Sequence, residues 1–298
     1  MTGPSRRMQF GWLGEQRFRW AELLGMTRRV EQLGFDSIWL SDHLADEEDG
    51  WLLDPWTTLG AILGCVPRIE AGTLVASNSL RAPLLTAHMA RTLADIAPGR
   101  FVLGLGAGGS GDEHRRAGVA FDTLEHRVAA LREACELIRH TTTSDSPWPD
   151  PQAVPKRGRP PIPLVLGGGG PAILRLAGRY ADRWTIWGTP EQLASKGAVL
   201  SGFARDAGRR PEDVRRGAIV MLLPEHIPER PNPGPWPAEL RGDEAAVARR
   251  LADYAAAGVD DVIVCDYGVD PAYRLPALEW FASIMARFRH AAAPEASA

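Results

Sequence analysis

Residues 20–43 read WAELLGMTRRVEQLGFDSIWLSDH and contain the unit that the rest of the chain repeats. Apolar side chains recur there every three or four positions, the spacing of one buried helical stripe, at Leu23, Met26, Val30 and Leu33. Gly34 can take the left-handed conformation that ends a helix, and residues 35–40 follow as a compact apolar segment rich in strand formers. The stretch therefore predicts a helix that leads into a buried strand.

The same alternation of strand and helix continues along the chain. Strands are predicted over residues 8–13, 35–40, 69–75, 101–105, 164–166, 183–187, 217–223 and 262–266. Two proline-rich excursions, 140–163 and 224–241, interrupt the pattern without ending it. Strict alternation implies parallel strands with right-handed crossovers, which fits a closed barrel or an open doubly wound sheet. Eight strands with eight helices favour the barrel, so we expect residues 1–298 to form a single (β/α)8 TIM barrel domain, an α/β fold.

The composition excludes several classes of protein. With 37 acidic and 34 basic residues the formal net charge is −3, which does not suit a protein that coats nucleic acid or an anionic membrane. No apolar run approaches the roughly 18 residues of a membrane helix, and the first residues lack the apolar core of a signal peptide. The three cysteines form no CxxC pair, which fits a reducing compartment. We expect a soluble cytoplasmic protein whose partner is a small-molecule substrate, with neither nucleic acid nor membrane as a partner.

The chemistry of such a barrel lies at the carboxyl ends of its strands. Glu15 follows the first predicted strand, and Asp42 and His43 together follow the second. A histidine at the barrel mouth can give or take a proton near neutral pH, so His43 is the first candidate catalytic residue and Glu15 the second. The structural alternative is a helix cap at Asp42 with His43 packed beside it. The seven histidines show no HxH or HExxH spacing, so no metal site is expected.

Glycines follow two later strands. Residues 167–170 are four glycines before Pro171, and free N–H groups at the start of a helix favour a phosphate, although a tight turn would also explain a glycine run. Gly104, Gly106 and Gly109 match the dinucleotide pattern GxGxxG literally. A polar stretch rather than an apolar helix follows them, so the pattern does not favour a Rossmann fold.

Four segments are distinctive when they are taken together. They are LGFDSIWLSDH (33–43), Arg81-Ala82-Pro83 with TLADIAPGRFVLGLGAG (92–108), LVLGGGGPAILRLAGRYADRW (164–184) and YAAAGVDDVIV (254–264). In these segments the chain resembles the bacterial luciferase-like monooxygenase superfamily, whose members are flavin- and deazaflavin-dependent barrel oxidoreductases. The resemblance spans nearly the whole chain.

The resemblance implies a cofactor that lies across the barrel mouth. Its phosphate would rest on Gly168, Gly169 and Gly170, in agreement with the anion site that the glycine run favours. Gly106 and Gly108, in the second segment, belong to the same implied cofactor site.

The resemblance also implies where the cofactor ring lies. It implies a non-proline cis peptide bond between Leu74 and Val75, with Asp42, Leu74 and Val75 at the ring and His43 near the reacting carbon. Glu15 corresponds to an acidic position near the substrate in similar sugar-phosphate dehydrogenases.

The expected function is an oxidoreductase that moves a hydride between a deazaflavin, coenzyme F420, and a small organic substrate. The match at Ser41-Asp42-His43 and the Arg-rich composition favour F420 over FMN. The alternatives are an FMN-dependent luciferase-like monooxygenase that uses oxygen, a non-catalytic flavin-binding barrel and a metal-dependent barrel hydrolase. Similar dehydrogenases carry an acidic residue where this chain has Gly109. The resemblance therefore does not imply that this chain shares their proton relay or their substrate. Dimers are common among similar proteins, and the sequence leaves open whether this chain forms a homodimer.

Overall fold

Eight parallel strands close into a barrel in the computed structural model, which describes residues 6–45, 50–143, 161–231 and 236–291. The strands are β1 (Gln9–Leu13), β2 (Ser37–Leu40), β3 (Glu70–Thr73), β4 (Ala76–Ser77), β5 (Phe101–Gly106), β6 (Leu164–Gly167), β7 (Arg183–Trp187), β8 (Arg215–Pro224), β9 (Glu239–Gly242) and β10 (Asp261–Cys265). Their order around the barrel is β10, β1, β2, β3, β5, β6, β7 and β8, and pairing of β8 with β10 closes it. The predicted TIM barrel is confirmed.

Helices cover the outside of the barrel. They are α1 (Trp20–Gln32), α2 (Pro55–Cys65), α3 (Pro83–Ile96), α4 (Gly111–Arg116), α5 (Leu124–Thr143), α6 (Pro171–Tyr180), α7 (Pro190–Asp206), α8 (Glu244–Ala256) and α9 (Arg274–Ala291). Side chains cap several of their starts; at α7, Thr189 and Gln192 each accept the backbone N–H of the other. At α2, Asp54 accepts the backbone N–H of Thr57. Among the described residues, no helix has the length and hydropathy that a bilayer crossing needs.

Successive side chains on the strands alternate between two apolar cores. Phe10 and Trp12 of β1 belong to the larger core, which joins the strands to the helices. A second, smaller core contains Leu13, Trp39, Leu74, Val102, Val165, Ile219, Met221, Leu223, Ile263 and Cys265. All of its buried members except Leu74 lie on barrel strands, so this core fills the barrel interior and forms an apolar floor under the mouth.

The structure corrects three of the predicted boundaries. The strand predicted over 69–75 is divided: β3 ends at Thr73 and β4 begins at Ala76, with the implied cis peptide bond between Leu74 and Val75. The first excursion begins inside α5, and residues 144–160 lie outside the described residues. The second excursion is not loop throughout, because β8 extends to Pro224 and β9 pairs in parallel with its end.

A small hollow between three strands holds the side chain of Val75. A Cβ atom on Gly106 would lie 2.7 Å from Val75 Cγ2, and one on Gly167 would lie 3.0 Å from Val75 Cγ1. A Cβ atom on Gly104 would lie 2.0 Å from the backbone oxygen of Thr73. Two glycines of the literal GxGxxG match therefore serve close packing between strands, which explains the pattern without a dinucleotide.

Candidate active site

A cavity of about 500 Å³ opens at the carboxyl ends of the barrel strands. The loops after β2, β4, β5, β6 and β7 border it. Predicted site residues that line it are Asp42, His43, Leu74, Val75, Gly106, Gly108, Gly168 and Gly169. Gly170 is the N-cap residue of α6, just beyond the lining, and Glu15 is also outside the lining.

Asp42 makes its hydrogen bonds through one carboxylate oxygen, and the other oxygen is buried without a partner among the described residues. Its Oδ2 atom accepts hydrogen bonds from the backbone N–H of Ser77 at 2.9 Å and from Arg81 Nη1 at 2.6 Å. The Asp42 side chain is only 1% exposed, and its Oδ1 atom has no hydrogen-bond partner among the described residues. A buried acceptor without a partner costs about 1–3 kcal/mol, so this oxygen marks a place where a ligand donor would stabilise the site.

His43 is oriented by Glu113, which lies on α4 in the segment after β5. Its Nδ1 atom lies 3.2 Å from Glu113 Oε2, and the other Glu113 oxygen accepts the backbone N–H of Leu44. Because an ionised carboxylate can only accept, this contact places the proton of a neutral His43 ring on Nδ1 and leaves Nε2 as the basic nitrogen. The His43 side chain is 54% exposed, so Nε2 is not sealed in protein.

Glu113 and His114 are two lining residues that the sequence did not place in the predicted site. Both lie on α4, which begins where Ser110 Oγ accepts the backbone N–H of Glu113. The backbone oxygen of Ser110 lies 2.6 Å from Nδ1 of the buried His114, and Ser79 Oγ lies 2.7 Å from its Nε2 atom. In the sequence, the one feature that could have identified them is their position after the fourth predicted strand, and several other polar residues share that position.

Glu15 lies in a buried ion pair rather than at the cavity. Its Oε2 atom is 3.0 Å from Arg274 Nη2, and both side chains are 5% exposed or less. Its Oε1 atom accepts the backbone N–H of Arg17. Nearby, burial raises the pKa of Asp266 to about 6, against the opposing effect of Arg274. The catalytic role of Glu15 stays a prediction, and the structure places its carboxylate where the first strand meets the last helix.

The glycine loop after β6 is held by two side chains. Trp184 Nε1 donates to the backbone oxygen of Gly168, and Lys196 Nζ donates to that of Gly169, each at 2.8 Å. Gly168 has φ of 129°, a conformation that L side chains rarely adopt. Sequence reasoning did not select Lys196 for the site, because it lies within α7 rather than directly after a strand.

Aromatic rings form one wall of the mouth. Trp187, which lines the cavity, stacks on Trp236 with ring centroids 6.1 Å apart and an angle of 23° between the planes. Both rings pack against the barrel-interior core. The described residues contain no group of three His, Cys, Asp or Glu side chains that could hold a metal ion.

The fold and the cavity define a class: a TIM-barrel protein with a small-molecule site at its mouth, built from an aspartate, a histidine and a glycine loop. The family model described as luciferase-like monooxygenase matches residues 6–230. The chain belongs to this family.

Curated relatives carry names of deazaflavin enzymes. The F420-dependent glucose-6-phosphate dehydrogenase of Nakamurella multipartita is 35% identical over 229 residues, which are 72% of this chain and 66% of that protein. The F420-dependent hydroxymycolic acid dehydrogenase of Mycobacterium tuberculosis is 31% identical over 227 residues, 71% of this chain and 61% of that protein. The chain thus spans less than two thirds of the length of these relatives.

Solved structures share the fold at low identity. An F420-dependent secondary alcohol dehydrogenase in complex with an F420-acetone adduct matches with a TM-score of 0.78 at 19% identity, covering 93% of this chain and 98% of that one. The EDTA monooxygenase of Chelativorans sp. matches with a TM-score of 0.76 at 16% identity, covering 95% and 94% of the two chains. At such identities the similarity shows the barrel fold alone.

Proposed function

We propose that this protein is an oxidoreductase that binds coenzyme F420 and transfers a hydride between the deazaflavin ring and a small organic substrate. The observation that carries the proposal is the unpaired, buried Oδ1 atom of Asp42 in the lining of a cavity that His43 also lines. The names of the curated relatives, which are F420-dependent dehydrogenases, support the choice of cofactor.

The residues of the cavity fit an elongated, anionic cofactor. Asp42 Oδ1 can accept a hydrogen bond from an N–H or O–H group of the ring. In the closed order of strands, β6 lies three places from β2, so the glycine loop and His43 lie on nearly opposite sides of the mouth. The loop offers backbone without side chains and leads into the start of α6, where free N–H groups suit an anionic tail. The volume of about 500 Å³ is ordinary for a small-molecule site.

His43 handles the proton in this proposal. Bound F420 supplies a ring carbon that accepts or gives a hydride. In the oxidative direction, Nε2 of His43 accepts the hydroxyl proton of an alcohol substrate as its carbon loses the hydride, and in the reverse direction Nε2 returns the proton to the carbonyl oxygen. Glu113 keeps the ring in the required tautomer and stabilises the imidazolium that forms.

The barrel interior keeps water away from the reacting atoms. Leu74, Val75 and Ile219 line the cavity from below, and Leu74 and Ile219 belong to the apolar core inside the barrel. A low-dielectric floor strengthens the interactions of the ring with Asp42 and protects a hydride from competing reactions with solvent.

Two isosteric variants test the proposal. Asp42→Asn removes the carboxylate charge of a residue that lines the cavity, whereas Asp54→Asn removes a carboxylate 3.8 Å from the same Arg81 but outside the lining. Because hydrogen bonds to charged groups contribute about 1.5–3 kcal/mol, Asp42→Asn is expected to raise the Kd for F420 roughly tenfold or more. Asp54→Asn is expected to leave it unchanged, since Asn caps a helix as well as Asp does. The measurement is titration of the purified apoprotein, followed by deazaflavin fluorescence.

FMN is titrated in parallel, because an FMN-dependent monooxygenase of the same fold is the competing function. Wild-type protein that binds FMN but not F420 would overturn the proposal in favour of the monooxygenase. Wild-type protein that binds neither F420 nor FMN would overturn the proposed redox function. Equal loss of F420 affinity in both Asn variants would show that Asp42 acts only through Arg81.

A further inference from the structure

We propose that Lys196 is the counter-ion of the cofactor's anionic tail and makes the site select phosphate-bearing over tail-less forms of the cofactor. The inference rests on the proposed function, because it concerns a part of the same ligand. It assigns a role to a residue that lies in the middle of α7 and follows no strand.

The position of Lys196 is fixed by the glycine loop. Its Nζ atom donates to the backbone oxygen of Gly169 at 2.8 Å and so lies at the edge of the cavity. A Cβ atom at position 169 would lie 3.1 Å from Lys196 Cε, so the absence of a side chain there gives the lysine room to cross the loop. An ammonium group has three donors, of which Gly169 takes one. The other two are available to a ligand in the cavity.

The other ionisable side chains discussed in the lining already have partners within the protein. Asp42 pairs with Arg81, and Glu113 contacts His43. Among the described residues that line the cavity, Lys196 is the sole lysine or arginine. A phosphate bound there needs a positive partner, and ammonium–phosphate contacts are among the stronger hydrogen bonds.

Lys196 also lies at the correct side of the mouth. The cofactor ring is placed by Asp42 and His43 after β2, and the loop that Lys196 contacts follows β6, three strands away. A ligand whose ring lies at Asp42 and whose chain crosses the mouth therefore brings its far end to Lys196. The alternative role of Lys196 is to hold the loop by its hydrogen bond to Gly169, with no contact to the ligand.

The experiment compares two ligands that differ only in the tail. F420 carries a phosphate-bearing tail, whereas its parent deazaflavin ends at the ribityl chain, and both are followed by fluorescence in equilibrium titrations. Lys196→Met is expected to weaken F420 binding about tenfold and to leave binding of the parent deazaflavin unchanged. Lys196→Arg is expected to restore most of the F420 affinity. The dependence of F420 binding on salt should be weaker in Lys196→Met, because a charge contact has been removed.

Arg175→Met is the matched control, because Arg175 lies on α6 next to the same loop but is exposed and outside the lining. It is expected to change neither affinity. Equal weakening of both ligands in Lys196→Met would overturn the inference and assign the lysine to loop structure alone, and so would no weakening of F420. In either case the proposed function would stand. Wild-type protein that binds neither deazaflavin would instead overturn the proposed function and the inference with it.

Discussion

The contact between His43 and Glu113 joins the loop after β2 to helix α4, 70 residues further along the chain. Glu113 uses one oxygen for the histidine ring and the other for the backbone N–H of Leu44, so a single carboxylate fixes both the ring and its loop. An imidazole held in this way loses little entropy when it reaches the transition state. The proton-transfer role proposed for His43 depends on this orientation more than on the exposure of the ring.

Replacement of His43 by alanine should separate catalysis from binding. The expected result is a fall in kcat of roughly 100-fold or more with the Kd for F420 nearly unchanged, because the side chain transfers a proton and does not anchor the ring. Steady-state kinetics and fluorescence titration measure the two quantities. His126→Ala, at a 70% exposed position on α5, is the control and should change neither. Undiminished turnover in His43→Ala would remove the assigned role.

Side chains that follow a strand could be found from the sequence, and those placed by longer-range packing could not. Asp42, His43 and the glycines come directly after predicted strands, where barrel chemistry is found. Lys196 lies two turns inside a helix, and only the fold shows that its side chain reaches the Gly169 backbone. Glu113 was visible at a strand end, but nothing in the spacing indicated that it contacts His43.

At the scale of the elements, the glycines of β5 and β6 determine how closely the strands approach. Gly104 and Gly106 face the segment between β3 and β4, and Gly167 faces the same segment from the other side. Each would collide with Thr73 or Val75 if it carried a side chain. Gly109, the third glycine of the literal GxGxxG match, is different, because a Cβ atom there would meet nothing within 4 Å.

Alanine substitutions at Gly104 and Gly109 test whether strand packing, rather than nucleotide recognition, explains the glycines of the GxGxxG match. Gly104→Ala is expected to lower the free energy of unfolding by about 3 kcal/mol or more, because the new methyl group meets a backbone oxygen that cannot move aside. Gly109→Ala should stay within about 0.5 kcal/mol of wild type. Denaturant unfolding followed by circular dichroism measures both. The opposite ranking would contradict the packing explanation.

Regular elements were predicted well because their periodicity extends over many residues. The stripe at Leu23, Met26, Val30 and Leu33 became α1, and the apolar segment after Gly34 became β2. The short elements α4 and β9 were missed, because a glycine with five polar residues in α4 and four mixed residues in β9 carry no readable period. Their existence depends on a local cap at Ser110 and on pairing with the end of β8, both of which are set by context.

For the whole molecule, the seam is the place where the first strand, β1, lies beside the last strand, β10. Strand β1 pairs with β10 in parallel, and the residues that follow them, Glu15 and Asp266, lie near Arg274 at the start of α9. The buried guanidinium of Arg274 thus acts on both carboxyl groups, and Glu15 has a second, more distant partner in Arg17 at 3.8 Å. Asp266 is fully buried, and desolvation disfavours its charged form.

The seam should make global stability depend on pH. The pKa of Asp266 is raised to about 6 in the folded protein from 3.8, so the folded state binds the proton more tightly than the unfolded state does. Its contribution to stability is therefore present at low pH and is lost as pH rises through about 6. Asp266→Asn, which cannot ionise, should gain up to about 3 kcal/mol on wild type between pH 4 and pH 7. Unfolding free energies measured across this range test it, and a difference that does not vary with pH would contradict it.

The hollow around Val75 has a consequence for the evolution of the family. A side chain at position 106 or 167 would meet Val75 and would fit only if that side chain shifts, position 75 becomes smaller or the strands separate. A side chain at position 104 would instead meet the backbone oxygen of Thr73, which a change at position 75 does not relieve. We therefore expect substitutions at positions 75, 106 and 167 to occur together, and homologues with a residue bulkier than Val75 to have different neighbouring strands. We expect the shape of the cavity floor around Val75 to be inherited as a unit, while the residues of the surrounding loops diversify.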